Sequence, residues 1–113
     1  MNQDLYWAAH IKRVALLILT GAQRDGATDF VIATIRGAAS IRCKIDGAWH
    51  DCQGSCSDIL PDIVAELGQL AGFREGPFPK TGTIEVPYSG LRLRWVMQMT
   101  SADAECILTP IRE

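Results

Sequence analysis

The segment IRCKIDGAWHDC, residues 41–52, decides the fold class. Apolar and charged residues alternate strictly over residues 41–46, which is the period-2 pattern of a strand with one buried and one exposed face. Asp46-Gly47 is a residue pair that type I′ hairpin turns prefer. Residues 48–52 are therefore predicted to return as a second strand, and the segment indicates an antiparallel hairpin.

A helix is predicted before this hairpin, over residues 4–24. Its apolar residues recur at helical spacing and make one stripe: Trp7, Ile11, Val14 and Ile18, widened by Leu16 and Leu17. A stripe of this width predicts a helix that is covered on more than half of its circumference. Gly26 is expected to end the helix in the left-handed conformation.

The other helices and strands are predicted from the same helical and period-2 spacing of apolar residues and from residues that favour turns. Residues 30–34 are predicted as a first strand, and residues 59–70 as a second helix with Pro61 in its first turn and Gly72 as its stop. Residues 82–88, 91–100 and 105–111 are predicted as three further strands. The prediction is one α+β domain over residues 1–113, with two helices and a mostly antiparallel six-stranded sheet in the order α-β-β-β-α-β-β-β.

Composition excludes several classes of function. The chain has 113 residues and a formal net charge of −2, and its basic residues form no run, so neither nucleic acid nor an anionic membrane is an expected partner. The longest apolar run, residues 14–19, is far shorter than the roughly 20 residues that span a bilayer. With no signal peptide recognised, a cytoplasmic location and reduced cysteines are predicted, with Cys43 and Cys106 as small core residues.

Five segments occur in a fixed order along the chain: GATDF at 26–30, IRCKIDG at 41–47, LAGF at 70–73, FPKTG at 78–82 and LRLRW at 91–95. They resemble motifs of the domain that precedes the ATPase core in ATPases of type II secretion and type IV pilus assembly. The positions that carry the resemblance are Thr28, Asp29, Asp46, Gly47, Pro79 and Gly82. The resemblance extends from about residue 6 to 111. It implies a PAS-like fold and a protein partner, such as a secretion or pilus ATPase or an assembly component.

The chain departs from this family at positions that bear on catalysis. Val31 stands where the family has His, and Thr81 where it has Asp. In the family, basic residues of this domain reach the nucleotide held by the neighbouring ATPase core. This chain keeps Arg42 and has Lys44, but has Pro77 and Thr83 at two of the basic positions. Neither Pro nor Thr provides the planar bidentate donor of an arginine finger.

No residue pattern indicates an enzyme or a cofactor. Residues 21–28 have the spacing of a phosphate-binding loop, but Ala27 replaces the required Lys and the segment follows a helix, so a helix cap and turn are predicted. His50, Cys52 and Cys56 are a weak alternative as zinc ligands, because the second close-spaced ligand pair is missing. A reversible Cys52–Cys56 disulfide is an equal alternative, and no metal site is predicted.

Two pairs of basic residues offer a candidate binding surface. Arg42 and Lys44 face one side of their strand, as do Arg92 and Arg94 of theirs. Such a face is either simply solvated or a surface for an acidic partner or an anion. The three tryptophans are assigned to the core by default, and an exposed one would indicate a protein interface.

The leading interpretation is a non-catalytic protein-interaction or regulatory module related to the pre-ATPase domain. The alternative is a PAS-like sensor with an internal pocket for a small ligand. The sequence allows a homo-oligomer. It ends at Glu113, near where the family's linker to its ATPase core begins, so a stand-alone protein and a fragment both remain open.

Overall fold

The computed structural model describes residues 2–35, 38–51, 60–101 and 105–111. Its elements are α1 (Asn2–Arg24), β1 (Asp29–Ile35), β2 (Ala38–Ile45), β3 (Ala48–Asp51), α2 (Leu60–Leu70), β4 (Lys80–Tyr88), β5 (Leu91–Met99) and β6 (Cys106–Pro110). The predicted element order is confirmed. The largest boundary difference is three residues, at the start of β2, and the starts of α1 and β4 differ by two residues.

The six strands form one sheet in the order β3-β2-β1-β6-β5-β4, and every neighbouring pair is antiparallel. The long-range pair is β1 with β6, in which Phe30 lies opposite Leu108 and Ile32 opposite Cys106. This pair joins two three-stranded meanders, β1-β2-β3 and β4-β5-β6, into a single sheet. The predicted α+β class with a six-stranded antiparallel sheet is therefore confirmed.

The hairpin between β2 and β3 turns at Asp46-Gly47. Both residues have positive φ, 52° and 81°, and Ile45 lies opposite Ala48. Two central residues with positive φ define a type I′ turn, whose twist matches that of the flanking strands. The turn predicted from the sequence is confirmed.

Helix α1 ends in a Schellman motif. The Ala27 amide donates to the carbonyl of Ala22 at 3.0 Å, and the Gly26 amide donates to that of Gln23 at 3.1 Å. Gly26 has a φ of 75°, the left-handed conformation that this motif requires. The segment with phosphate-loop spacing is thus a helix cap and turn, as predicted, and α2 ends in the same way at Gly72.

Both helices cover one face of the sheet. α1 contacts α2 and β5, and α2 contacts β4, so a single hydrophobic core fills the space between the helices and the sheet. Trp95 is its largest buried side chain and meets the edge of Phe30 at a centroid distance of 6.2 Å. Its indole Nε1 donates to the Gln23 side-chain oxygen at 3.1 Å, so the buried N–H is paired.

The buried side of α1 is not the stripe predicted from the sequence. The buried residues are Ile11, Ala15, Leu16, Leu19, Thr20 and Ala22, whereas Trp7 is 48% and Leu17 52% exposed. Residues 6–10 are all exposed, which corrects the core assignment of Trp7. The helix is apolar on nearly every side, so hydrophobic spacing alone does not select the buried arc. The small residues Ala15 and Ala22 lie on that arc, where a helix can approach its neighbours closely.

The backbone of β4 approaches the end of α2 most closely at Gly82. A Cβ atom at this position would overlap the carbonyl oxygen of Ala71. The glycine is therefore required by the contact between the two elements.

The two described cysteines differ in state. Cys43 is buried and disulfide-bonded, which corrects the prediction of a reduced thiol. Cys106 is a free, buried thiol, and desolvation by burial raises its pKa from 9.0 to about 12. Both lie in the core cluster, as predicted.

No helix within the described residues is both long enough and apolar enough to cross a membrane.

Candidate functional site

The candidate site is the sheet face opposite the two helices, which we call the open face. Side chains alternate between the faces of a strand, and the strand registers place each side chain beside its partners across the sheet. All four predicted basic residues, Arg42, Lys44, Arg92 and Arg94, lie on this face. Across the sheet the two pairs are three strand spacings apart, roughly 14 Å, and the register offsets them along the strands by about four residues as well.

One end of the open face combines basic and aromatic side chains. The Arg42 guanidinium lies 5.0 Å from the centroid of the Trp49 ring, within the range of a cation–π interaction. In the register Trp49 is opposite Lys44, and Asp51 is opposite Arg42. Trp49 is 45% exposed on the edge strand β3, which corrects its assignment to the core.

The other end of the open face is a mixed-charge cluster around Glu85. This carboxylate lies 3.4 Å from Arg94 Nε and 3.9 Å from the Arg92 guanidinium. The side chain of Arg92 is 69% exposed, whereas that of Arg94 is only 28% exposed. Glu85 offsets one of the two positive charges, so this end is less basic than the sequence indicates.

Apolar side chains connect the two charged ends. Val31 of β1 lies opposite Ile107 of β6, and Val96 of β5 lies opposite Thr109 on the same strand as Ile107. Ile107 is 37% exposed, and Val31 and Val96 are partly buried. An apolar centre between polar ends that carry Trp and Arg is the composition of a protein–protein interface. A surface for small anions needs no such centre.

A notch in the sheet adjoins the second charged end. β6 ends at Pro110, opposite Trp95, while β5 continues to Leu91. The gap leaves an open cavity of about 280 Å³ lined by Gln23, Gly26, Ala27, Arg92, Arg94, Pro110 and Ile111. It lies at the surface beside the C-terminus of α1, outside the core between helices and sheet.

The six positions that carry the family resemblance lie in turns and packing contacts. Asp46 and Gly47 make the hairpin turn, and Gly82 contacts the end of α2. The Thr28 amide donates to the Lys44 carbonyl at 2.8 Å, and the Thr28 hydroxyl lies 3.1 Å from the Asp29 carboxylate.

Pro79, the sixth of these positions, follows a cis peptide bond just before β4.

The alternative metal and disulfide assignments involve Cys52 and Cys56, which lie outside the described residues. His50 is exposed on β3, opposite Cys43. The described part of the chain holds no group of three or more His, Cys, Asp or Glu side chains that could bind a metal ion.

Sequence reasoning found the basic residues but missed the apolar centre that joins them. Val31, Ile107 and Val96 come from three strands far apart in sequence, and only the strand order brings them together. The sequence held part of this information, because the period-2 alternation of a strand places Ile107 on one face of β6 and its neighbours Cys106 and Leu108 on the other. The face of β6 that is exposed to solvent is the one that the two helices leave uncovered, and the sequence alone does not show where the helices pack.

A comparison of the chain with protein-family models found no match, and a comparison with curated protein sequences found none either.

Proposed function

We propose that this protein is a non-catalytic protein-interaction or regulatory module, and that its open face is the docking surface. The observation that carries the proposal is the apolar centre Val31–Ile107–Val96 between the Arg42–Trp49 pair and the Arg92–Glu85–Arg94 cluster. Aromatic and arginine residues around a partly dehydrated centre are typical of binding hot spots.

The proposed partner is a secretion or pilus ATPase, or another component of such an assembly. The support is the ordered motif resemblance together with the strand order β3-β2-β1-β6-β5-β4, which is compatible with a PAS-like sheet carrying one extra edge strand. In this proposal the chain recognises its partner and leaves nucleotide hydrolysis to it. A cytoplasmic location belongs to the same proposal, although the disulfide at Cys43 would be unusual there.

The alternative function, a PAS-like sensor, requires a ligand cavity between the helices and the sheet. That space is occupied by Trp95, Phe30, Met97, Ile63 and Leu67, all at most 1% exposed. The cavity described above lies instead at the end of β6. The core therefore favours the interaction module over the sensor.

The test is a direct binding measurement with purified components. The chain is titrated by calorimetry against the secretion and pilus ATPases of its source organism. The variants Arg42→Glu and Ile107→Lys are expected to weaken binding at least about 10-fold, because each alters one part of the docking surface. Ala65→Glu, on the exposed side of α2, is the matched control and should bind like the wild type.

Two results would count against the proposal. If no secretion or pilus ATPase binds the wild type, the proposed partner is wrong. If one binds but neither open-face variant weakens it, the docking surface is wrong. A phosphate-release assay with ATP should show no turnover by the chain alone, and turnover would refute the non-catalytic assignment.

A further inference from the structure

Helix α1 carries a second apolar arc that faces away from the core. At about 100° per residue, seven residues between positions 6 and 21 fall within an arc of about 120°: Tyr6, Trp7, His10, Val14, Leu17, Ile18 and Gly21. The polar residues Gln3 and Arg24 lie at the two ends of the same arc. Tyr6 is 75%, Trp7 48% and Leu17 52% exposed. The buried residues Ile11, Ala15, Leu19 and Ala22 occupy a separate arc, and of the exposed arc only Val14 and Ile18 pack partly against the core.

The exposed arc forms an apolar patch on the surface of the helical layer. Aromatic side chains present roughly 150–250 Å² each, so the exposed fractions of Tyr6 and Trp7 leave on the order of 250 Å² of aromatic surface in water. Leu17 and the half-buried Val14 and Ile18 extend it. The arc then approaches the size of the largest apolar patch on a typical monomer, roughly 300–600 Å², which is often functional.

The arc has a projecting side chain at one end and a cavity at the other. Trp7 lies on the exposed first turns of α1, where it contacts His10 at a ring-centroid distance of 5.9 Å. A cavity of about 190 Å³ lies at the C-terminal end of the same arc, lined by Leu17, Ile18, Gly21, Ala22, Asp25 and Phe30. An enclosed cavity of about 150 Å³ holds a benzene ring, and this depression has a comparable volume but is open to solvent on one side, where a ring could enter.

A two-fold rotation relates the Trp7 side chain to the cavity at Gly21. Trp7 and Gly21 are about 20 Å apart along α1, and Val14 lies midway between them. A two-fold axis perpendicular to the helix at Val14 brings Trp7 of each chain to the Gly21 cavity of the other. Gly21 has open space around its Cβ position, and the exposed Asp25 at the rim offers a carboxylate to the indole N–H.

We propose that the exposed arc of α1 binds a second copy of this chain, forming an antiparallel helix pair in which each Trp7 occupies the partner's Gly21 cavity. A self-complementary surface of this kind is what a two-fold homodimer requires. Both copies bury their aromatic surface together with the neighbouring aliphatic residues, which places the interface in the size range of weak, transient complexes. The dimer uses the helical layer and leaves the open face of the sheet accessible.

The test uses two variants with complementary defects, measured by sedimentation equilibrium. Trp7→Ala removes the projecting side chain, and Gly21→Leu fills the cavity. Each variant alone is expected to raise the dimer Kd at least about 30-fold, the effect of losing a hot-spot residue. Circular dichroism and thermal unfolding confirm that each variant is folded, which the exposure of both positions leads us to expect.

Mixing the two variants gives the decisive measurement. A mixed dimer keeps one intact contact, because Trp7 of the Gly21→Leu chain enters the cavity of the Trp7→Ala chain. Heterodimer formation in the mixture, at concentrations where each variant alone is monomeric, supports the proposal. A wild type that stays monomeric up to its solubility limit overturns it, as do folded variants that dimerise like the wild type or a mixture that stays monomeric.

Discussion

At the scale of the single residue, Gly82 is the position where packing leaves no room for a side chain. Its missing Cβ allows the backbone of β4 to lie against the Ala71 carbonyl. In Gly82→Ala the new methyl group meets backbone, which cannot rotate away as a side chain can. We expect the free energy of unfolding to fall by at least about 2 kcal/mol, measured by urea denaturation.

The matched control for that substitution is Gly21→Ala. Gly21 lies in α1 with nothing near its Cβ position, and alanine is the better helix former. We expect this variant to be more stable than the wild type by about 0.5–1 kcal/mol. Equal effects of the two substitutions would show that Gly82 makes no close contact with α2.

The Cys106 thiol gives stability a dependence on alkaline pH. Burial raises its pKa from 9.0 to about 12, so above pH 9 the unfolded chain releases this proton while the folded chain keeps it. The contribution is constant below pH 9. From pH 9 to about 12 stability decreases with a slope approaching about 1.4 kcal/mol per pH unit.

The measurement compares the wild type with Cys106→Ala in urea melts between pH 8 and 11. The variant lacks the titrating group, so the difference in stability between the two proteins should shrink as pH rises above 9. The same burial predicts that iodoacetamide does not alkylate Cys106 in the folded protein at pH 8. A difference that does not change with pH would mean that the thiol is not desolvated.

At the scale of the element, α1 is joined to β5 by Gln23. Its side-chain oxygen accepts from the Trp95 indole at 3.1 Å, and its amide nitrogen donates to the Arg92 carbonyl at 2.9 Å. Gln23→Ala leaves the buried indole N–H without its acceptor, so we expect stability to fall by about 1–3 kcal/mol. Gln69→Ala, at an exposed position of α2, should change stability by less than about 0.5 kcal/mol. A similar loss in both variants would contradict a specific role for Gln23.

The sequence predicts elements well where backbone chemistry is local. The Asp46-Gly47 turn and the ends of both helices follow from residues that tolerate left-handed backbone, and no distant contact can change that preference. The buried side of α1 could not be predicted in the same way. Both of its arcs are apolar, and the choice between them depends on packing against α2 and β5, which lie far away in sequence.

At the scale of the whole molecule, strand order determines which residues form the candidate site. The sequence identified Arg42, Lys44, Arg92 and Arg94 because period-2 alternation places each pair on one side of its strand. It could not show that both pairs share one face, since that depends on the long-range pairing of β1 with β6. The apolar centre of Val31, Ile107 and Val96 also depends on this long-range pairing of β1 with β6.

Neighbouring residues of β6 test which face of the sheet is open. Ile107 is 37% exposed on the open face, whereas Leu108 is fully buried under the helices. We expect Ile107→Lys to lower stability by no more than about 1 kcal/mol, since it loses mainly strand preference. Leu108→Lys puts a charge into the core and should cost more than about 5 kcal/mol, which is enough to unfold a domain at the lower end of ordinary stability.

Urea melts and near-ultraviolet circular dichroism distinguish these outcomes. A folded Ile107→Lys protein beside an unfolded Leu108→Lys protein means that the helices cover one face only. The binding experiment with Ile107→Lys then reports on the docking surface rather than on loss of the fold. If both substitutions unfold the protein, the open face is part of a second packed layer. The centre Val31–Ile107–Val96 then contributes to stability and is not available to a partner.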